Sequence, residues 1–410
     1  MKFNFTNQIQ NFSAEVRGNF FMPGHKGKIS PLDVTEFDET GDLTDSSGVF
    51  AAAEAELAKI FGAEKSHILV NGATVGIFAM IMATCQVGDK LIVDSICHHS
   101  IPNALKLFGV KPVYVERSIH LNSSLAGGIN PVDIEHILKK DKKIKGAIIT
   151  SPNYYGVCSD IRAIADILHS KDKFLLVDEA HGAHFYFSEN LPQTAMEQGA
   201  DMCVVSAHKT LPAPGQTAIL NISQSACQNL RSEANQRLQP FRAETRGEKP
   251  LSLRASRPRR GEYALIEPPE YGVVKECLNI LQTSSPSFML ISQMLDGISQ
   301  MPELSGHYEK LIAACEEFAM KVNENTRATC VTWGYMNNCH VTQKDQTRLV
   351  ISLARLGLNG KKTFDLLWER YKIRPEMYDD HNVVCIVSVC NEIEDLDNLY
   401  AAISELCEVK

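Results

Sequence analysis

Between Ser66 and about Thr210 the sequence alternates two textures, and this alternation restricts the possible folds more than any other feature of the chain. Short β-rich runs occur at SHILVNG, KLIVDS, KPVYVE, KGAIITSP, KFLLVDEA and ADMCVVSA. Between them lie segments of helical period such as TVGIFAMIMATC, IPNALKLFG, PVDIEHILKKD and IRAIADILHS. Short apolar strands alternating with helices predict βαβ units and a parallel sheet covered on both faces. Sheets of this kind bind ligands beyond the carboxyl ends of their strands. The residues just after each run are therefore the candidates for chemistry.

Outside that stretch the texture changes. From about Met301, helical segments (HYEKLIAACEEFAMKVN, GKKTFDLLWERY, IEDLDNLYAAISEL) flank the strand-like runs RLVISL and VVCIVSV, which predicts a smaller α+β domain. The expected organisation is an N-terminal segment over 1–45, a large α/β domain over 46–300 and a small α+β domain over 301–410. An insertion of about 224–271 is rich in Arg, Pro and Glu and has no clean period. It reads as a surface insertion, or alternatively as a lid or subunit contact over the site. A formal charge of −8 gives no global basic field, which argues against nucleic acid or an anionic membrane as partner. The opening MKFNFTNQIQ lacks the apolar core of a signal peptide, and the run IFAMIMATC is too short to span a bilayer. The twelve cysteines include no C-x-x-C pair and read as reduced thiols, so a cytoplasmic protein is expected.

Each strand end offers a different group. After SHILV comes Asn71-Gly72-Ala73-Thr74 and a helix start, where free N–H groups and a hydroxyl suit a phosphate. After KLIVDS comes Cys97-His98-His99, where a histidine could stack on an aromatic ligand, cap the next helix or bind metal. After KFLLV comes DEAHGAH, with three readings. A DEAH-box ATPase would need a G-x-x-x-x-G-K-[ST] loop, which is absent. A metal cluster of Glu179, His181 and His184 fits no zinc spacing, so no metal is expected. In the third reading Asp178 is a buried carboxylate facing a cationic ring nitrogen. After ADMCVVSA comes SAHKT, whose Lys209, once desolvated, becomes a neutral nucleophile able to form a Schiff base. Phosphate cradle, ring-stacking His98, Asp178 and Lys209 are together the contacts that pyridoxal 5'-phosphate requires.

The segments FMPGHKG, NGAT, TSPNYYGVCSDI, VDEAHGAH, SAHKTLPAPGQTA and LQTSSPSF resemble the bacterial pyridoxal-phosphate-dependent ornithine/lysine/arginine decarboxylases. The resemblance implies a fold-type-I, aminotransferase-like α/β enzyme with a mainly parallel sheet, in a short form without the wing and long C-terminal domains. It implies that Lys209 carries the cofactor and Asp178 pairs with its ring nitrogen. His98 would lie on the ring face, with Ala73, Thr74, Ser206 and His208 at or beside the phosphate and His181 near ring and substrate. The SPSF segment, with Ser285 and Ser287, lies where the family builds an active site shared across a homodimer. Departures from the usual pattern are Ala207 in place of threonine, Ala213-Pro214-Gly215 after Leu-Pro, and His99 in place of lysine.

The expected reaction is decarboxylation of arginine, lysine or ornithine to the amine and CO2. His181, His208 or Lys209 would return the proton to Cα. Glu376, Asp379 and Asp380, or Asp42 and Asp45, are candidates for the distal cation of the substrate. Two alternatives remain open at this level. One is a pyridoxal-phosphate aminotransferase, lyase or oxidase. The other is a non-catalytic protein of the same fold.

Overall fold

The computed structural model describes residues 3–120, 125–230, 272–336 and 339–408. Its central sheet has seven strands: β1 (Lys65–Leu69), β2 (Lys90–Asp94), β3 (Lys111–Val115), β4 (Ile144–Thr150), β5 (Phe174–Asp178), β6 (Met202–Val205) and β7 (Ala218–Ile222). Their spatial order is β1-β7-β6-β5-β4-β2-β3. The pairings from β6 across to β3 are parallel. β7 runs antiparallel to both β6 and β1. The sheet is thus mainly parallel, with β7 its reversed strand; the first run read from sequence, SHILV, lies at the edge and runs in the same direction as β2 to β6. Nearly every residue of β4, β5 and β6 is buried, because helices cover both faces.

Helix α1 (Phe5–Glu15) and α2 (Val49–Ile60) precede the sheet. Helix α3 (Gly72–Thr84) follows β1, and α4 (Ser100–Phe108) follows β2. α3 is apolar nearly all round because it is enclosed by the sheet, α4 and the later helix α7 (Val273–Leu281). Gly76 makes that seat possible. A Cβ there would lie 2.7 Å from Val204 Cγ2 and 2.9 Å from Leu69 Cδ1, so any side chain would push α3 off β1 and β6. Helices α5 (Pro131–Lys140) and α6 (Ile161–His169) cover the opposite face through Ile134, Leu138, Ile164 and Leu168. Both starts are capped. Asn130 accepts from Val132 N–H at 3.1 Å with Pro131 at the first position, and Asp160 accepts from Ala163 N–H at 2.9 Å.

A second, antiparallel sheet is formed by β8 (Thr329–Cys330), β9 (Arg348–Ser352), β10 (Met377–Tyr378) and β11 (Asn382–Ile386), in the order β8-β9-β11-β10. α9 (Gly360–Tyr371) and α10 (Ile393–Glu408) accompany it. The two sheets are joined by α8 (Phe288–Asn325), which runs straight through residue 300, where the sequence suggests a division. One hydrophobic cluster includes Phe5, Phe50, Phe288, Leu295, Leu349, Val383 and Leu406, so α1, α2, α8 and the small sheet share a core. α8 also presses on the loop just after Lys209, since a Cβ on Gly297 would sit 1.8 Å from Pro212 O. Of the insertion expected at 224–271, residues 224–230 form a helix and the remainder lies outside the described residues.

Candidate active site

The ends of β1, β2, β4, β5 and β6 converge on a cleft of about 720 Å³ that is closed on one side by the small sheet. Its lining includes Ala73, Thr74, His98, Asp178, His181, Ser206, His208, Lys209 and Glu376. Beneath the rim, Asp94 at the end of β2 is fully buried and gripped by Arg117, with Nε at 3.0 and 3.1 Å and Nη2 at 2.5 Å. Thr150 N–H donates to the same carboxylate at 3.3 Å, which ties the ends of β2 and β4 together.

Lys209 occupies the third position of a single helical turn, Ala207–Thr210, and its amine is mostly buried. Its Nζ is 3.0 Å from His181 Nε2. Burial lowers its pKa; Asp178 opposes that shift, Arg348 adds to it and Glu376 opposes it. His181 is 7% exposed and held well below its ordinary pKa, first by burial and then by the cations Arg348 and Lys209. The ring of Tyr154 packs on His181 at 4.7 Å, and its hydroxyl donates to Glu376 Oε1 at 2.7 Å.

Asp178 is 2% exposed, yet its carboxylate accepts only the Ala180 N–H, at 3.2 Å, among the described residues. Burial therefore raises its pKa, Lys209 and the Ala180 N–H pull it back, and Asp94 raises it further. A buried carboxylate with one hydrogen bond at the wall of a cleft is short of a cation. A protonated ring nitrogen would supply one. At the other end, the start of α3 presents Ala73 and Thr74, and Ser206 and His208 lie on the same cleft. His208 Nδ1 donates to Thr217 O at 3.0 Å, which fixes its ring. His98 is partly exposed, with Nδ1 2.8 Å from Ser100 Oγ, and its pKa is lowered by burial, then by His99 and Lys209. This set of donors fits pyridoxal phosphate: anion-binding groups at one end, a carboxylate in need of a cation and a free amine at the other.

Not every residue singled out in the sequence reaches the cleft. Asp379 instead accepts from Tyr155 Oη at 2.8 Å and from Asn382 Nδ2 at 3.0 Å, which holds the turn between β10 and β11. Ser285 is exposed on the approach to α8, and Ser287 caps that helix by accepting from Leu290 N–H at 3.3 Å. Glu179, His181 and His184 turn to separate partners, and no group of three or more His, Cys, Asp or Glu among the described residues is arranged to hold a metal. Sequence reasoning gave no role to Tyr154 or Arg348. Tyr154 could have been found, because it follows the run KGAIITSP at a strand end. Arg348 could not: it comes from the small sheet, and Nη2 reaches His181 Nδ1 at 3.5 Å across a separation of 167 residues.

Glu179 is fully buried, accepting from Tyr186 Oη at 2.8 Å and Ala195 N–H at 2.7 Å, and burial raises its pKa from 4.5 to about 8. The folded state therefore holds a proton that the unfolded chain has released, so stability is present in acid and lost as pH rises from about 4.5 to about 8. Glu179→Gln stays neutral throughout. It is expected to narrow the gap in Tm between pH 5 and pH 8, by roughly 1 °C for each kcal/mol relieved. Thermal unfolding at both pH values checks this, and an undiminished gap contradicts it.

The large sheet, the small sheet and a lysine cleft between them define the fold of the fold-type-I pyridoxal-phosphate enzymes. Lysine decarboxylase A from Pseudomonas aeruginosa superimposes with a TM-score of 0.75 at 17% identity, over 98% of this chain and 59% of that one. A lysine decarboxylase of Francisella novicida gives 0.74 at 16%, over 98% and 60%, so this chain spans about three fifths of those proteins. The model of the Orn/Lys/Arg decarboxylase major domain matches residues 7–242, and the chain belongs to that family. Among its relatives, the arginine decarboxylase of Bacillus subtilis is 26% identical over 95% of this chain and 74% of its own. That of Halalkalibacterium halodurans is 28% identical over the same shares.

Proposed function

We propose that the chain is a pyridoxal-phosphate-dependent decarboxylase that converts arginine, lysine or ornithine to the corresponding amine and CO2. The observation that carries the reading is the Lys209 amine, 3.0 Å from His181 Nε2, in a cleft walled by the underpaired Asp178. The family and its arginine decarboxylase relatives support the same reaction. Lys209 would carry the cofactor, Asp178 would hold its ring nitrogen protonated, and His98 would cover the ring. Ala73, Thr74, Ser206 and His208 would hold its phosphate. Bound there, pyridoxal phosphate supplies the electron sink for the bond broken at the substrate Cα.

The rest is done by side chains of the protein. Lys209 Nζ and His181 Nε2, which share a hydrogen bond, would be the two groups to hold and move a proton at the reacting carbon. Glu376 stands on the cleft wall supplied by the small sheet, oriented by the Tyr154 hydroxyl at 2.7 Å, and is the carboxylate best placed for the distal cation of the substrate. The working unit would be a homodimer in the cytoplasm. None of the twelve cysteines is in a disulfide, and no helix among the described residues is long and apolar enough to cross a membrane.

Incubating the protein with pyridoxal phosphate and each of the three amino acids, while assaying CO2 and amine, tests the reading directly. One of them is expected to release equimolar CO2 and its amine; a keto acid or no turnover with all three overturns the assignment. Glu376→Gln is expected to raise KM for that substrate by about 10- to 100-fold, the worth of a charged hydrogen bond, with a smaller change in kcat. An unaltered KM would remove Glu376 from the distal-cation site.

A further inference from the structure

We propose that, before cofactor is bound, Arg348 is a positioning residue that fixes His181 as the Nε2–H tautomer and so holds Lys209 as a hydrogen-bond-accepting free amine. Arg348 enters from β9 of the small sheet, whereas His181 and Lys209 follow β5 and β6 of the large one. Its side chain is fully buried. Burying a guanidinium is costly unless its N–H groups find acceptors. Yet Nε and Nη1 have no hydrogen-bond partner among the described residues, and the nearest carboxylate oxygen, Asp345 Oδ2, is 3.9 Å from Nε. The side-chain hydrogen bonds it does make there run from Nη2 to His181 alone, to Nδ1 at 3.5 Å and to the carbonyl oxygen at 3.4 Å.

The chemistry of the donors settles the proton positions. A guanidinium nitrogen can only donate, so His181 Nδ1 must present its lone pair. A ring with Nδ1 bare is neutral and carries its proton on Nε2. The 3.0 Å contact between Nε2 and Lys209 Nζ is then an N–H donated to the lysine nitrogen, and an ammonium has no lone pair to receive it. Lys209 must therefore be the free amine. One arginine thus sets the protonation state of a group two hydrogen bonds away.

The surrounding charges agree. Around His181 stand Arg348, Lys209, His184, Asp345 and Tyr154; around Lys209 stand Asp178, Arg348 and Glu376. Asp345, the carboxylate whose charge acts on His181, is already engaged by His184 Nε2 at 3.1 Å and Thr347 Oγ1 at 2.6 Å. It is not a direct partner of the His181 ring. The large sheet alone would leave the tautomer free; packing of the small sheet chooses it.

Lys209 and His181 enter here as the working pair of the decarboxylase reading, but the first test needs neither cofactor nor turnover. Histidine side-chain 15N NMR on the ligand-free protein, with the His181 signal assigned by its loss in His181→Gln, reports which ring nitrogen carries the proton. Wild type is expected to show Nε2–H, Arg348→Lys to keep it, and Arg348→Met to lose it to a mixture or to Nδ1–H. The pH midpoint for reductive methylation of Lys209, read by mass spectrometry, is expected to move upward in Arg348→Met and to return toward wild type in Arg348→Lys. A merely structural arginine would not move the tautomer. An Nδ1–H wild type overturns the proposal, as does an unchanged Nε2–H in a folded Arg348→Met. Should Arg348→Met fail to fold, the wild-type tautomer and the Arg348→Lys arm still decide. An Nε2–H tautomer in a protein that decarboxylates none of the three amino acids would leave this proposal standing while the functional reading falls.

Discussion

Replacing Lys209 with alanine is expected to lower CO2 release from the basic amino acid by about 10⁴-fold or more, the range seen when a covalent catalytic group is removed. The variant is also expected to lose the covalent link to pyridoxal phosphate, which borohydride trapping followed by mass spectrometry reads directly. The fold should survive, and stability should rise. Lys209 is mostly buried and its pKa is depressed, so the folded state binds fewer protons than the unfolded chain below the ordinary value of 10.5. Stability attributable to this group is accordingly lost as pH falls from 10.5 toward the folded pKa, and at neutral pH the lysine is a burden that alanine lacks. Turnover within tenfold of wild type would show that another group carries the chemistry.

Asp178→Asn comes next in size, with an expected loss of about 10²- to 10⁴-fold in kcat, comparable to removing a preorganised charge partner in other enzymes. The substitution is nearly isosteric, and the Asn oxygen can still accept the Ala180 N–H that Asp178 accepts at 3.2 Å. Structure should therefore persist. Because burial makes the carboxylate harder to ionise, neutral asparagine is expected to match or exceed the thermal stability of wild type. The ring nitrogen of the bound cofactor, by contrast, would lose its counter-charge. Steady-state kinetics at saturating pyridoxal phosphate, alongside a melt, separate the two effects. A variant that keeps a third of wild-type kcat would detach Asp178 from the ring nitrogen.

Both residues are legible in the sequence because each sits at or just beyond the end of a run whose strand character is written locally. SHILV, KLIVD, KPVYV, KGAIIT, KFLLVD and MCVV are all strands of the large sheet. The direction of each strand is not legible in the same way. β7 is as buried as its neighbours, yet it runs against both β1 and β6, because strand direction is decided by the path of the connections and not by the side chains. The extent of α8 is hidden for a similar reason. The sequence suggests a boundary at residue 300, while the helix runs unbroken from Phe288 to Asn325, bridging two sheets with one core.

The acidic loop shows where residue type stops being informative. Glu376 and Asp379 are three positions apart and chemically alike, but only Glu376 lines the cleft; Asp379 is spent on Tyr155 and Asn382. Their difference is one of direction, and direction in a loop is set by which hydrogen bonds the turn needs to close. Sequence alone determined the alternation of strand and helix, the family, and the amine and carboxylate on which the proposed chemistry rests, since each depends on residue type at a strand end. The tertiary structure alone decided the rest: the reversed strand β7, the shared core, and the approach of Arg348 to His181 across 167 positions. Contacts between distant segments depend on how the whole chain packs, and no local pattern of residues records that.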